Sequence, residues 1–192
     1  EALTVVAGGF VTEQLTVTAG GLTVGESLGG DMTVNGATAT NTNSITGTVT
    51  LYAAGTTTAT LTFATAASVF NALAAQANAA VTVQTQLTTD SGILMLDGDA
   101  NNGAHSSSTD LLTLASGITL TSAGLMTLDA TTSGISRLGA LTLSSTSGVT
   151  ISDALASTGT TTLDIDADSD DDGSGTLTVS AAVSSNNGVF KI

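Results

Sequence analysis

Ile118-Thr119-Leu120-Thr121-Ser122-Ala123-Gly124-Leu125-Met126-Thr127-Leu128 returns, 23 positions on, as Leu141-Thr142-Leu143-Ser144-Ser145-Thr146-Ser147-Gly148-Val149-Thr150-Ile151. Laid over one another, Ile118, Leu120, Met126 and Leu128 fall on Leu141, Leu143, Val149 and Ile151. Two separate apolar-Thr-apolar phrases share one offset, which predicts a coil of about that length holding two or more strands. In a parallel β-helix, equivalent residues of adjacent coils lie ~4.8 Å apart along the axis. The four aligned positions then become apolar columns inside a tube. The Thr and Ser between them point outward, because side chains alternate along a strand. A third coil is expected from about Leu163, with a looser offset.

The same phrase runs through the rest of the chain, as Leu3-Thr4-Val5, Leu15-Thr16-Val17, Leu22-Thr23-Val24, Met32-Thr33-Val34, Val81-Thr82-Val83, Leu112-Thr113-Leu114 and Leu177-Thr178-Val179. Each copy is too short to enclose a core, so the copies must shelter one another. Residues 1–43 and 111–192 are therefore predicted to be β-solenoid coils, with tight turns at Gly-Gly pairs such as Gly20-Gly21. Tandem β-sandwich domains are the rival architecture, since short strands with regular turns suit both.

Residues 44–110 break the pattern. Val69, Phe70, Leu73 and Ala77 recur at helical spacing in an Ala-rich stretch, and Thr65 is placed to cap it. The expectation is a small α+β insert over 44–110 with one helix at about 65–80.

Composition narrows the function. The chain has 192 residues, 41% of them hydrophobic but only 3% aromatic, and 9% charged, so Thr and Ser must wet most of the surface. Without Pro, every backbone N–H is free to join a ladder; without Cys, disulfides and thiolate metal sites are excluded. Sixteen acids face two basic residues, Arg137 and Lys191, for a net charge of −14. Phosphate backbones need Lys and Arg, so nucleic acid is excluded as a partner, and anionic membranes are disfavoured. No apolar run is long enough to span a membrane.

An acidic surface does suit hard divalent cations. Asp164, Asp166, Asp168, Asp170 and Asp172 alternate along one run that ends at Gly173. Asp168, Asp170, Asp172 and Gly173 match the first half of a calcium loop, D-x-D-x-D-G. Val179 stands where the bidentate Glu of that loop belongs, which predicts a weak Ca²⁺ site, ~10⁻⁴ to 10⁻³ M. Along a strand these carboxylates would sit ~6.6 Å apart, so only a turn from Asp168 onward gathers them. Asp97, Asp99 and Asn101 form a second oxygen-rich loop that reads either as a cation site or as an Asx turn. Asp129 and Asp153 read as isolated turn residues, and Arg137 as a lone surface cation. His105 is the only histidine, and neither a nucleophile elbow nor an aromatic-lined groove accompanies it. No enzymatic activity is expected.

The Gly- and Thr-rich phrases, including Leu141-Thr142-Leu143-Ser144 and Gly175-Thr176-Leu177-Thr178-Val179, resemble the filamentous-haemagglutinin and autotransporter type of bacterial surface protein. That resemblance implies a right-handed parallel β-helix exported as a stalk or adhesin. Ile45-Thr46-Gly47-Thr48-Val49-Thr50-Leu51, Phe70-Asn71-Ala72-Leu73 and Ser91-Gly92-Ile93-Leu94-Met95-Leu96 are similar to the small "IN" insert of flagellin and hook-associated proteins. Both resemblances imply an extracellular, cell-surface setting. The chain begins and ends in strand-like phrases, which predicts that it pairs with flanking repeats of a longer chain or with copies of itself in a fibre. The alternative is an adhesin that binds glycan or a host protein through the 44–110 insert or the loops.

Overall fold

In a computed structural model that describes residues 3–5, 20–26, 30–103 and 110–192, the chain winds into a parallel β-helix of three sheets. The first face holds eight strands: Leu3–Val5, Leu22–Glu26, Thr48–Ala53, Ala72–Ala77, Leu94–Asp97, Met126–Asp129, Val149–Ile151 and Leu177–Val179. The second holds Met32–Val34, Thr60–Phe63, Ala80–Val83, Leu111–Leu114, Ile135–Arg137 and Leu155–Ser157. The third holds Ser68–Phe70, Leu87–Thr89, Ile118–Ser122, Leu141–Ser145, Leu163–Asp166 and Phe190–Lys191. Every strand pair among the described residues is parallel, which excludes the β-sandwich alternative.

The 23-residue offset is the coil repeat. Ile118 pairs with Leu141, and Met126 with Val149, in register. Leu163 then pairs with Leu141, so the third coil lies where the looser offset placed it. Inward columns run the length of the tube. On the first face one column reads Val24, Leu51, Ala75, Leu96, Leu128, Ile151, and all six are buried. The Thr between inward residues stays partly exposed, as at Thr23, Thr50, Thr127 and Thr150.

The expected α+β insert with a helix at about 65–80 does not form. Residues 68–83 make three strands instead, one on each face, and 44–103 continues the same coils. Ala72–Ala77 pairs with Thr48–Ala53 on one side and Leu94–Asp97 on the other. Alanine favours helix by local propensity. Here both edges of the segment are satisfied by neighbouring strands, and that pairing outweighs propensity. Leu73, Ala75 and Ala77 face inward at period two. Asn71 and Asn78 mark the corners at either end of this strand. Asn71 Nδ2 donates to the Asn43 and Ile45 carbonyls at 3.1 and 2.8 Å, and Asn78 Nδ2 to the Ala54 carbonyl at 2.9 Å. Thr65, the expected cap, lies at φ 65° in a corner.

The only helix among the described residues is the single turn Ala39–Thr42. It covers the end of the third face: the Val69 N–H donates to the Ala37 carbonyl at 2.8 Å, and Thr42 Oγ1 to the Val69 carbonyl at 2.9 Å. Corners elsewhere are tight. A Cβ on Gly124 would stand 2.7 Å from the Gly92 carbonyl carbon, so stacked corners there need glycine.

Candidate functional site

Most corners between the third and first faces take one to four residues, for example 123–125 and 146–148. After Asp166 the corner is ten residues long, 167–176, and it carries the acidic run. The extra length lets the chain leave the strand, and a turn closes at once: the Asp171 N–H donates to the Asp168 carbonyl at 2.9 Å. Asp171 at φ 55° and Gly173 at φ 83° supply the left-handed backbone that curls the segment.

That curl gathers Asp168, Asp170 and Asp172, with one carboxylate oxygen from each within 4.8 Å of the others. Three hard oxygen ligands at that separation could hold a metal ion. Asp168 Oδ2 accepts the Gly173 N–H at 2.9 Å, and Asp172 Oδ1 accepts the Ser174 N–H at 2.8 Å. Hydrogen bonds from Ser174 hold the Asp172 carboxyl below its ordinary value. Asp168 Oδ1 is shielded from solvent and has no hydrogen-bond partner. Asp164 and Asp166 stay behind on the strand. Asp164 pairs with Lys191 Nζ at 3.6 Å, and Asp166 accepts the Asp168 N–H at 3.3 Å. An open cleft of ≈ 530 Å³ lies beside the turn, lined among others by Asp164, Asp166, Asp168, Leu177 and Lys191.

The second oxygen-rich loop is a different object. Asp97 Oδ1 accepts the Asp99 N–H at 3.0 Å. Asp99, fully buried, accepts N–H groups from Gly103 at 3.3 Å and from Thr132, one coil on, at 2.9 Å. Asn101 Oδ1 accepts the Gly103 N–H at 2.9 Å. These side chains close Asx turns and tie two coils together. Among the described residues, no third acid joins Asp97 and Asp99 within reach of one ion. His105 lies outside the described residues.

Two features escaped the sequence. Asp129 is the in-register neighbour of Asp97 and is hydrogen-bonded to Asp153, so it is not the isolated turn residue expected. Burial, the Asp153 hydrogen bond and the charges of Asp97 and Asp153 push its carboxyl up to about 6. Burial likewise raises Asp97. Arg137, expected at the surface, is fully buried. It occupies an inward position in register with Leu114 and Ser157, on the column of Phe63 and Val83. Its guanidinium donates to three successive corners: the Gly139 carbonyl at 2.7 Å, Thr161 Oγ1 at 2.9 Å with the Thr161 and Thr162 carbonyls at 3.2 Å, and the Ser185 carbonyl at 3.5 Å. Burial lowers its pKa from the ordinary guanidinium value. The signal was available in principle, because the 23-residue offset carries Leu114 onto Arg137.

A scan against protein-family models and searches of curated proteins and of solved structures return no match.

Two outcomes follow from this geometry. Arg137→Ala strands several buried carbonyls and should lower unfolding stability by about 3 kcal/mol in urea titrations. Arg137→Lys should recover only part of that, because an ammonium cannot span three corners. The Asp129 carboxyl binds its proton more tightly folded than unfolded. Its contribution to stability is therefore full below about pH 4 and falls as pH rises to about 6. Relative to the parent, Asp129→Asn should gain stability at about pH 7 compared with about pH 4.5; an equal effect at both pH values would contradict the assignment.

Proposed function

We propose that this chain is a structural subunit or segment of an extracellular bacterial fibre, stalk or matrix filament, built by coil stacking and strand pairing. One observation carries the reading. The last described coil repeats the inward columns, with Leu177 and Val183 packed against the core and Val179 and Phe190 exposed. Leu177 and Val179 pair in register with buried Val149 and Ile151, Val183 bridges to buried Leu155, and Phe190 pairs with buried Leu163. Yet Val179 and Phe190 are each 44% exposed and Ile192 80%. Inward side chains of a solenoid are covered when a further coil follows, from the same chain or from another copy. The resemblance of the Thr-rich phrases to haemagglutinin-type stalks supports the cell-surface setting.

In this reading the protein's work is mechanical. Backbone ladders and aliphatic columns resist extension, while Thr and Asp keep the outside hydrated. Ca²⁺ is the ion we assign to Asp168, Asp170 and Asp172, where it would stiffen the long corner. An adhesin is the second reading, favoured by the cleft beside that corner; without a separate insert at 44–110, its binding surface falls to the turns 98–103 and 167–176.

Electron microscopy of the purified full chain tests the reading. Rods that lengthen with protein concentration are expected, and they should be stiffer with Ca²⁺ than with a chelator. A strictly monomeric particle at all concentrations would overturn the fibre reading. Glycan capture by that monomer would favour the adhesin.

A further inference from the structure

We propose that Asp97, Asp129 and Asp153 form a proton-operated clamp across three successive coils, closed while one proton is held between Asp129 and Asp153 and loosened when it leaves. The clamp does not depend on the chain building a fibre. Register sets Asp97 beside Asp129, ~4.8 Å apart at Cα. Asp153 reaches back from the following coil: its Oδ2 accepts the Ala130 N–H at 2.9 Å, and its carboxyl hydrogen-bonds that of Asp129. Two carboxyls in hydrogen-bond contact need a proton between them, because an ionised pair offers only acceptors. Asp97 is a poor home for it. Its Oδ1 accepts the Asp99 N–H at 3.0 Å and its Oδ2 accepts Gln76 Nε2 at 3.4 Å, so both oxygens already serve as acceptors.

The other titratable groups at this corner, among the described residues, are also acids. Asp99, fully buried, accepts the Thr132 N–H at 2.9 Å. Asp110, also buried, directly precedes Leu111–Leu114, and its carbonyl accepts the Ser133 N–H at 3.2 Å. The chain's two basic side chains are engaged elsewhere, Arg137 with the carbonyls of other corners and Lys191 with Asp164. With no basic side chain to offset them, crowded carboxylates lower their repulsion by keeping a proton. The raised Asp129 carboxyl, at about 6, agrees. Its folded value lies above the unfolded one, so the clamp is complete below about pH 4 and is lost as pH rises through about 6. What loosens is the corner 130–134, which Asp153 and Asp99 hold through the Ala130 and Thr132 amides.

Amide hydrogen exchange of the full chain tests this, followed by nuclear magnetic resonance in a chelator so that no divalent ion replaces the proton. A carboxyl displaced from 3.8 to about 6 predicts that protection of Ala130 and Thr132 falls about tenfold between about pH 5 and about pH 8. Ala64 and Thr146, whose N–H groups donate to the Val34 and Ser122 carbonyls at other corners, should change less than about twofold. In Asp129→Asn the amide donates to Asp153 at every pH, so Ala130 and Thr132 should stay protected throughout. His105→Gln should behave as the parent does. Carbon-13 shifts of the Asp carboxyls read the same event without a variant, and one of them should titrate near about pH 6. Equal protection at both pH values in the parent, or an equal fall at Ala64 and Thr146, would overturn the proposal. So would a fall that persists in Asp129→Asn or vanishes in His105→Gln, or Asp carboxyls that all titrate below about pH 5.

Discussion

Parallel pairing in strict register between successive coils is the constraint on which the rest of this molecule depends. It forces every inward side chain onto its equivalent one coil away, so a column is only as good as its worst member. It does not fix coil length. Ser68 pairs with Leu87, 19 positions on, and Leu87 with Leu120, 33 positions on, in the same sheet. The corners absorb the difference. Faces must therefore stay conservative in chemistry, while corners are free to lengthen, bend and acquire other roles. The acidic turn 167–176 and the long connection after Asp97 are both corner expansions of this kind.

The polar groups inside the tube obey the same constraint. Inward positions of the third face carry Thr89, Ser122 and Ser145, all buried at the corner. Thr89 Oγ1 donates to the Gly92 carbonyl at 2.8 Å, Ser122 Oγ to that same carbonyl at 3.2 Å, and Ser145 Oγ to the Gly124 carbonyl. Stacked corners leave carbonyls that no ladder satisfies, and hydroxyls in register supply the donors. Arg137 does the same for three corners at once with a single planar group. A buried guanidinium without a carboxylate is costly, and here the carbonyl dipoles that converge on it offset part of that cost. Asp97 and Asp129 show the opposite case, in which register brings like charges together and, with burial and the neighbouring Asp153, raises the Asp129 carboxyl to about 6.

The columns were legible because Leu, Val and Ile repeat at one offset over 118–151, and the register confirms those pairs. The gathering of Asp168, Asp170 and Asp172 was also legible, since strand geometry forbids it and a turn permits it. The segment 65–80 was not. Its Ala residues favour helix, and its spacing happens to satisfy both periods. Only the pairing of Ala74 between Thr50 and Met95 decides the matter, and that information lies 24 positions upstream and 21 downstream. Arg137 was hidden for a related reason. A charged residue in a short Ser- and Gly-rich stretch reads as surface until it is aligned with Leu114. Asp129 and Asp153 sit at neighbouring corners, and no spacing rule in one coil announces that two such side chains meet.

Cross-strand nuclear Overhauser contacts around Ala74 test the stacking of coils most directly, because this is where local propensity argues hardest against it. The account predicts backbone contacts from Ala74 to both Thr50 and Met95, in the pattern of parallel strands. A run of sequential amide contacts through residues 65–80, with i to i+3 contacts and none to Thr50 or Met95, would contradict it.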